Sequence, residues 1–296
     1  MLQFSPWIAL SALLTLSNAL TIIDPASCGP AGAPNATLVN NALLEMTSIA
    51  DMAVDRLLHP NDQINSSVLG FLKSLFGNTP VDRVVNVYKR VSEIVHSVEA
   101  GVTIYCNENH IKEDPAAGGR SARWVDSTNN LVVPAPIKYA SFQRPIPICM
   151  LANHGRAYTY EVLIASRIIV LCPSTIAPTG TPPLLGDIIS EDISGILLKN
   201  QPIDVIDYAL SCTLLHEFTH TVLMQNLLTV DVEFNANGTH VDAYGYTNSS
   251  MLVSTHEDLT VKNADSFKIL GAGLFLKNYE WVDGKGVIQP IIIQNL

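Results

Sequence analysis

Charged side chains are scarce in this sequence: only 15% of its 296 residues are Asp, Glu, Lys or Arg, against 48% that are hydrophobic. That ratio excludes an intrinsically disordered chain, which buries too little apolar surface to fold, and it fits one large domain with a substantial core. Basic residues are the scarcer sign, 17 against 27 acidic, and they form no block. A net charge of −10 without a basic patch gives nucleic acid or an anionic membrane nothing to hold by bulk electrostatics. Cys-x-x-Cys pairs are absent, which removes thiolate zinc modules and thioredoxin-like redox chemistry. Beyond the first residues no stretch reaches spanning length without a charge or Pro, and no internal repeat occurs.

What is present begins with "MLQFSPWIALSALLTLSNA", an apolar run from Trp7 to Leu16 followed by the small residues Ser17, Asn18 and Ala19. It reads as a secretory signal over 1–19, cleaved after Ala19 and too short to anchor in a membrane, so the protein is expected to be secreted and extracellular. Asn-x-Ser/Thr sequons at Asn35, Asn65, Asn237 and Asn248 agree with that route. In an oxidising compartment the cysteines Cys28, Cys106, Cys149, Cys172 and Cys212 allow two disulfides, with connectivity open. Cys212, one helical turn before His216 on an apolar stretch, is the candidate for the thiol left over.

Residues 20–37 are rich in Pro, Gly and Ala and read as a linker. Apolar residues at three-to-four spacing predict helices over 38–58, 61–76 and the stretch "VDRVVNVYKRVSEIVHSVEA". Short β-branched runs then predict strands at "VTIYC", "ARWV", "NLVVPAPI", "IPICM" and "RIIVLCP". Helical spacing returns over 204–228 and over "MLVSTHEDLTVKNADSFKILGAGLFL", and the apolar tail "GVIQPIIIQNL" reads as an edge strand or a partner surface. The expectation is a single α+β domain over 38–296, mostly helical with a small sheet.

The chemistry lies in "HEFTH", residues 216–220. Residues four apart on an α-helix share a face, so His216 and His220 can aim two imidazoles at one metal ion, with Glu217 beside them as a general base for the attacking water. Two histidines leave a catalytic zinc one protein ligand short. Leu223 and Asn226 stand where the metzincin spacing needs Gly and His, which excludes that class. Glu233 lies too near the helix end, leaving Glu257 in "THEDL" and Asp242 in "NGTHVDAYGY" as candidates. His256, His110 and His154 have no partner spacing, and Tyr158, Tyr160 and Trp281 read as core or rim.

The pairing of "HEFTH" with "GTHVDAYG" and "NADSF" resembles the deuterolysin family of fungal secreted metalloendopeptidases, the aspzincins. The order of upstream helices and cysteine strands is similar too, so the likeness spans most of 43–276. The resemblance implies a zincin-like metalloprotease fold, one Zn²⁺ per chain, and hydrolysis of protein or peptide substrates with a preference for basic ones. It implies His216, His220 and Asp242 as metal ligands, Glu217 as general base and Tyr244 as the donor to the developing oxyanion. In the family's Gly-Thr-x-Asp-x-x-Tyr-Gly pattern the Asp precedes the Tyr by three residues, whereas Asp242 precedes Tyr244 by two and Val241 holds the expected place. His240 is therefore an alternative ligand. Asp265 either holds the outer nitrogen of a ligand histidine or helps its own helix start. The rival reading is a secreted, non-catalytic zinc-binding or partner-binding protein on the same fold.

Overall fold

A computed structural model of the chain describes residues 21–59, 67–96, 101–114, 123–133, 148–150, 156–163, 166–176, 184–191, 197–206, 208–222 and 229–288. The expected signal segment and His154 lie outside the described residues, as do Asn65, residues 223–228 of the expected motif helix and the end of the apolar tail.

A three-to-four rhythm of apolar side chains builds the longest helix. After β1 (Ile22–Ile23) and α1 (Pro25–Cys28), α2 runs Pro34–Leu58. It buries Val39, Ala42, Leu43, Met46, Ile49, Ala50, Ala53 and Leu57 along one side. Each large apolar side chain so buried stabilises the fold by roughly 1.5–3 kcal/mol. Helices α3 (Val68–Phe76) and α4 (Val81–His96) complete the N-terminal helical group. The described residues 21–37 are therefore part of the fold rather than a linker. Ile22 and Ile23 pair with Thr103 and Ile104, and Cys28 is bonded to Cys106, because the Asp24 carboxylate caps the Ser27 N–H and starts a helical turn despite the Pro-rich composition.

The strands follow as β2 (Gly101–Tyr105), β3 (Ile111–Glu113), β4 (Trp124–Asp126), β5 (Leu131–Val133), β6 (Ala157–Leu163) and β7 (Ser166–Leu171). The described part of the "IPICM" run, Ile148–Met150, is a 3-10 turn beside the Cys149–Cys172 disulfide. The four-stranded sheet has the order β1-β2-β7-β6, parallel except for β6, which lies antiparallel at the edge. Val102, Ile104, Ile169 and Leu171 join the helical core on one face. Tyr105, Ile168, Val170, Tyr158 and Tyr160 form a second core on the other face with Ile111, Trp124 and Val133 of the small antiparallel sheet β3-β4-β5.

Two short helices, α5 (Pro173–Ile176) and α6 (Leu185–Glu191), and a 3-10 turn at Ile203–Ile206 lead to α7 (Leu210–Thr221). The β8 (Glu233–Ala236) and β9 (Thr239–Asp242) hairpin precedes α8 (Gly245–Thr255). A 3-10 turn at Glu257–Lys262, then α9 (Ala264–Phe275), β10 (Tyr279–Val282) and β11 (Lys285–Ile288) close the described chain. Helix α7 packs against α2, α4, α9 and β6. Two polar ties lock these layers: Tyr88 Oη donates to Phe267 O at 2.6 Å, and the buried Arg56 guanidinium donates to Leu274 O at 2.6 Å, satisfying a carbonyl at the C-terminal end of α9. The α+β expectation holds as a mixture of helices with small sheets. No helix of the described residues is long and apolar enough to cross a membrane.

Candidate metal centre

Helix α7 is buried nearly all round, with Leu210, Leu214, Leu215 and Phe218 fully buried, and it carries the polar trio His216, Glu217 and His220 into the protein. The two imidazoles meet one turn apart, Nε2 to Nε2 at 3.2 Å. The third group on that spot is Asp231, whose Oδ1 lies 2.9 Å from His216 Nε2 and 3.5 Å from His220 Nε2. These three form a group that could hold a metal ion.

A short bridge puts Asp231 there. Val230 N–H donates to Lys262 O at 2.7 Å and Val230 O accepts from Ala264 N–H at 3.1 Å, so residues 229–231 are stapled beside the start of α9. The same staple serves the opposite side of His216. Asp265, one residue into α9, is fully buried with Oδ1 3.3 Å from His216 Nδ1 and Oδ2 accepting the Gly245 N–H at 2.6 Å. Lys268, a turn later, forms an ion pair with Asp265 Oδ1. Of the two readings of Asp265, its contact with His216 Nδ1 is the one the geometry supports, and its second oxygen holds the first residue of α8 instead of capping α9.

His220 Nδ1 donates to Thr229 O at 2.9 Å. With each Nδ1 facing a carboxylate or a carbonyl, both Nε2 atoms are turned inward, where they meet each other and the Asp231 carboxylate. The two Nε2 atoms and the Asp231 oxygen converge at 2.9–3.5 Å, close enough to share one cation, a proton or a metal ion. Four donors at 2.0–2.1 Å around a tetrahedral zinc stand about 3.3 Å apart, so the observed triangle matches that geometry. The donor chemistry, two imidazoles and one carboxylate, also suits zinc. The field points the same way: burial alone would lower the His216 pKa, but the Asp231 and Asp265 carboxylates, aided by Glu217, outweigh it and raise it to about 10. Burial would likewise raise Asp231 and Asp265. His216 and His220 for the first, and Lys268 with His216 for the second, hold both well below the usual carboxylate range.

Tyr244 stacks on His216, ring centroids 5.9 Å apart and planes 20° apart, with its hydroxyl end toward Asp231. Burial of that end, with the charges of Asp231, Glu217 and Asp265, pushes the phenol above its ordinary value. Gly245 follows with φ +73°, where a Cβ would come within 3.0 Å of Asp204 Oδ1, and Asp204 in turn accepts the Tyr246 N–H at 2.7 Å. The Asn263 amide donates to Ala243 O at 3.0 Å, so the "NADSF" segment fixes the approach to Tyr244 from both sides.

The structure does not bring Asp242 to the histidines. Asn237 and Gly238, φ +51° and +82°, make the two-residue turn of a hairpin whose inward face is Phe234, Ala236 and Val241. Alternation then turns Asp242 and His240 outward, where they gather with Glu233, His240 Nε2 lying 2.8 Å from Glu233 Oε2. Glu257 is also elsewhere, accepting the Asn78 N–H at the end of α3. Sequence reasoning missed Asp231, Asn263 and Lys268. A usable signal for the first was the Asn-Gly dipeptide flanked by alternating residues, which sets 233–242 aside as a hairpin and leaves Thr229-Val230-Asp231 as the segment entering the site. Tyr158, Tyr160 and Trp281 are core, and His110 is buried with Nε2 3.1 Å from the Tyr160 hydroxyl. Cys212 is buried on α7 and belongs to neither disulfide. No protein-family model, curated protein or solved structure matches the chain.

Proposed function

We infer that the protein is a secreted zinc-dependent endopeptidase of the aspzincin type on a zincin-like fold, with His216, His220 and Asp231 as ligands and Glu217 as general base. The convergence of two imidazole Nε2 atoms and one carboxylate oxygen beside an adjacent glutamate carries this reading. The "GTHVD" part of the segment that carries the resemblance lies in a hairpin turned away from the histidines, and a Thr-x-Asp spacing recurs upstream of it. Thr229 precedes Asp231 by two residues, as in the family's Thr-x-Asp, and Tyr244-Gly245 follow in space, with residues 232–243 intervening in the chain. Asp231 removes the best argument for a non-catalytic protein, which rested on the displaced Asp242. The two disulfides and the sequons fit an oxidising, secretory route.

Zinc held by these ligands supplies Lewis acidity and brings the pKa of a water near neutrality. Glu217 accepts the proton of the attacking water and hands it to the leaving amine. The Tyr244 hydroxyl donates to the carbonyl oxygen as charge develops there. Asp265 and Thr229 O hold the two imidazole rings so that both Nε2 atoms stay turned inward. The substrate is a protein or peptide.

The test is zinc content by elemental mass spectrometry beside casein cleavage, for wild type, Asp231→Ala, Asp242→Ala and Glu217→Gln. Wild type and Asp242→Ala should hold one zinc and cleave; Asp231→Ala should lose both; Glu217→Gln should keep zinc and lose cleavage. Zinc retained by Asp231→Ala would refute the ligand set, and a zinc-loaded wild type that cleaves nothing would favour the non-catalytic reading.

A further inference from the structure

Glu217 has a partner that comes from outside its own helix. Thr159, in the middle of β6, places its hydroxyl 2.7 Å from Glu217 Oε2 and 3.3 Å from Glu217 O. The shorter and charge-assisted contact is the donated bond. Among the described residues this hydroxyl is the hydrogen-bond donor that reaches the Glu217 carboxylate.

The strand is built to hold it there. Successive residues of β6 face opposite sides of the sheet, so Thr159 looks toward α7 while Tyr158 and Tyr160 enter the second core. Tyr160 Oη donates to Asp126 Oδ2 at 2.9 Å and takes the His110 Nε2 contact at 3.1 Å. Tyr158 lies against Glu108, which accepts the Cys149 N–H at 3.0 Å beside the Cys149–Cys172 disulfide. Antiparallel pairing of Thr159 with Ile169 fixes the register on the inner side. An edge strand thus gains anchors on both flanks of Thr159, and the hydroxyl is held without relying on the strand's outer edge.

We propose that Thr159 is a positioning residue for the general base: its hydroxyl fixes Oε2 of Glu217 and leaves Oε1 as the oxygen that takes the proton. This rests on the reading of Glu217 as the general base. A carboxylate tied at one oxygen has lost rotational freedom before substrate arrives, so the cost of orienting it does not fall on the transition state. The bond is made by a hydroxyl, so Ser can replace Thr and the isosteric Val cannot.

The experiment compares Thr159→Val, Thr159→Ala and Thr159→Ser with wild type in peptide cleavage, zinc content and crystal structure. In Thr159→Val, kcat should fall roughly ten- to hundredfold, the loss expected for one hydrogen bond to a charged group, with KM and zinc content unchanged. Thr159→Ser should recover wild-type kcat to within about threefold. The crystal structures should show one Glu217 carboxylate position in wild type and Thr159→Ser, and a displaced or multiple one in Thr159→Val. Thr159→Ala gives the same comparison should the Val protein not fold. Unchanged kcat with Glu217 unmoved, or a loss traced to missing zinc, overturns the proposal. A zinc-loaded wild type without peptidase activity refutes the functional reading instead, and the Glu217 positions in the crystals then decide the role of Thr159 by themselves.

Discussion

At the scale of single residues, the site depends on carboxylates that do different work at different burial, Asp231 being exposed and Asp265 fully buried. Asp231 meets both Nε2 atoms, whereas Asp265 lies behind His216 at Nδ1 and is bound to Lys268. Removing a group of the second kind typically weakens metal binding by roughly 10–100-fold without abolishing it. Asp265→Ala should therefore keep a zinc site of lower affinity, measured by competition with a chromophoric chelator, while Asp231→Ala should show none. Asp126 is a carboxylate of another sort, fully buried far from α7 in sequence and surrounded by Asn129, Tyr160 and the Thr128 N–H. Burial alone would raise its pKa, but these hydrogen bonds outweigh it and lower it. A folded-state pKa below the unfolded one gives stability that is present above the unfolded value and lost as pH falls through the folded value. Urea midpoints taken from pH 7 down to pH 3 should fall more steeply at the acid end for wild type than for Asp126→Asn, which should be less stable at pH 7.

At the scale of elements, the centre is as good as the fit between α7 and α9. Gly271 lets them approach: a Cβ there would lie 2.8 Å from Leu215 Cδ2, 3.1 Å from Ile49 Cγ2 and 3.2 Å from Tyr88 Cε1. Gly271→Ala should lose about 1–3 kcal/mol of stability by overpacking, despite the better helix propensity of Ala, and thermal unfolding should record it. Because α9 also carries Asp265, the same variant should bind zinc more weakly. The helices themselves were legible in the sequence: α2, α4 and α7 follow from three-to-four spacing, and the HEFTH positions needed nothing else. Three elements were not. β6 has the polar Thr159 between its tyrosines and Glu161 after them, and no continuous apolar run, so it does not resemble the neighbouring β7. The β8–β9 hairpin was hidden by reading its residues as a ligand loop, and α1 by its proline content.

At the scale of the whole molecule, the two disulfides close chain segments of different length around the sheet. Cys28–Cys106 spans 78 residues and ties the N-terminal β1–α1 unit to the end of β2, while Cys149–Cys172 spans 23. Restriction of the unfolded chain alone gives stabilisation of about 4.5 kcal/mol for the first and about 3.4 kcal/mol for the second. Paired Cys→Ser variants compared by urea denaturation should show the larger loss for Cys28/Cys106. Loss of the second bridge should act more on catalysis than on stability, because it ends β7 beside the strand that carries Thr159.

The sequence alone determined the local part of the centre. A buried helix with His216, Glu217 and His220 at the spacing of one turn needs only the α-helical repeat to bring those groups together. Cysteine count limited the bridges to two, with Cys212 correctly left out of them. Only tertiary structure brought Asp231 to the histidines, through a backbone bridge from Val230 to the Lys262–Ala264 turn. It also decided that Asp242 faces away, since pairing across an Asn-Gly turn assigns each residue a side by alternation. Long-range backbone pairing depends on where two distant segments meet, and a motif read along the chain has no term for that.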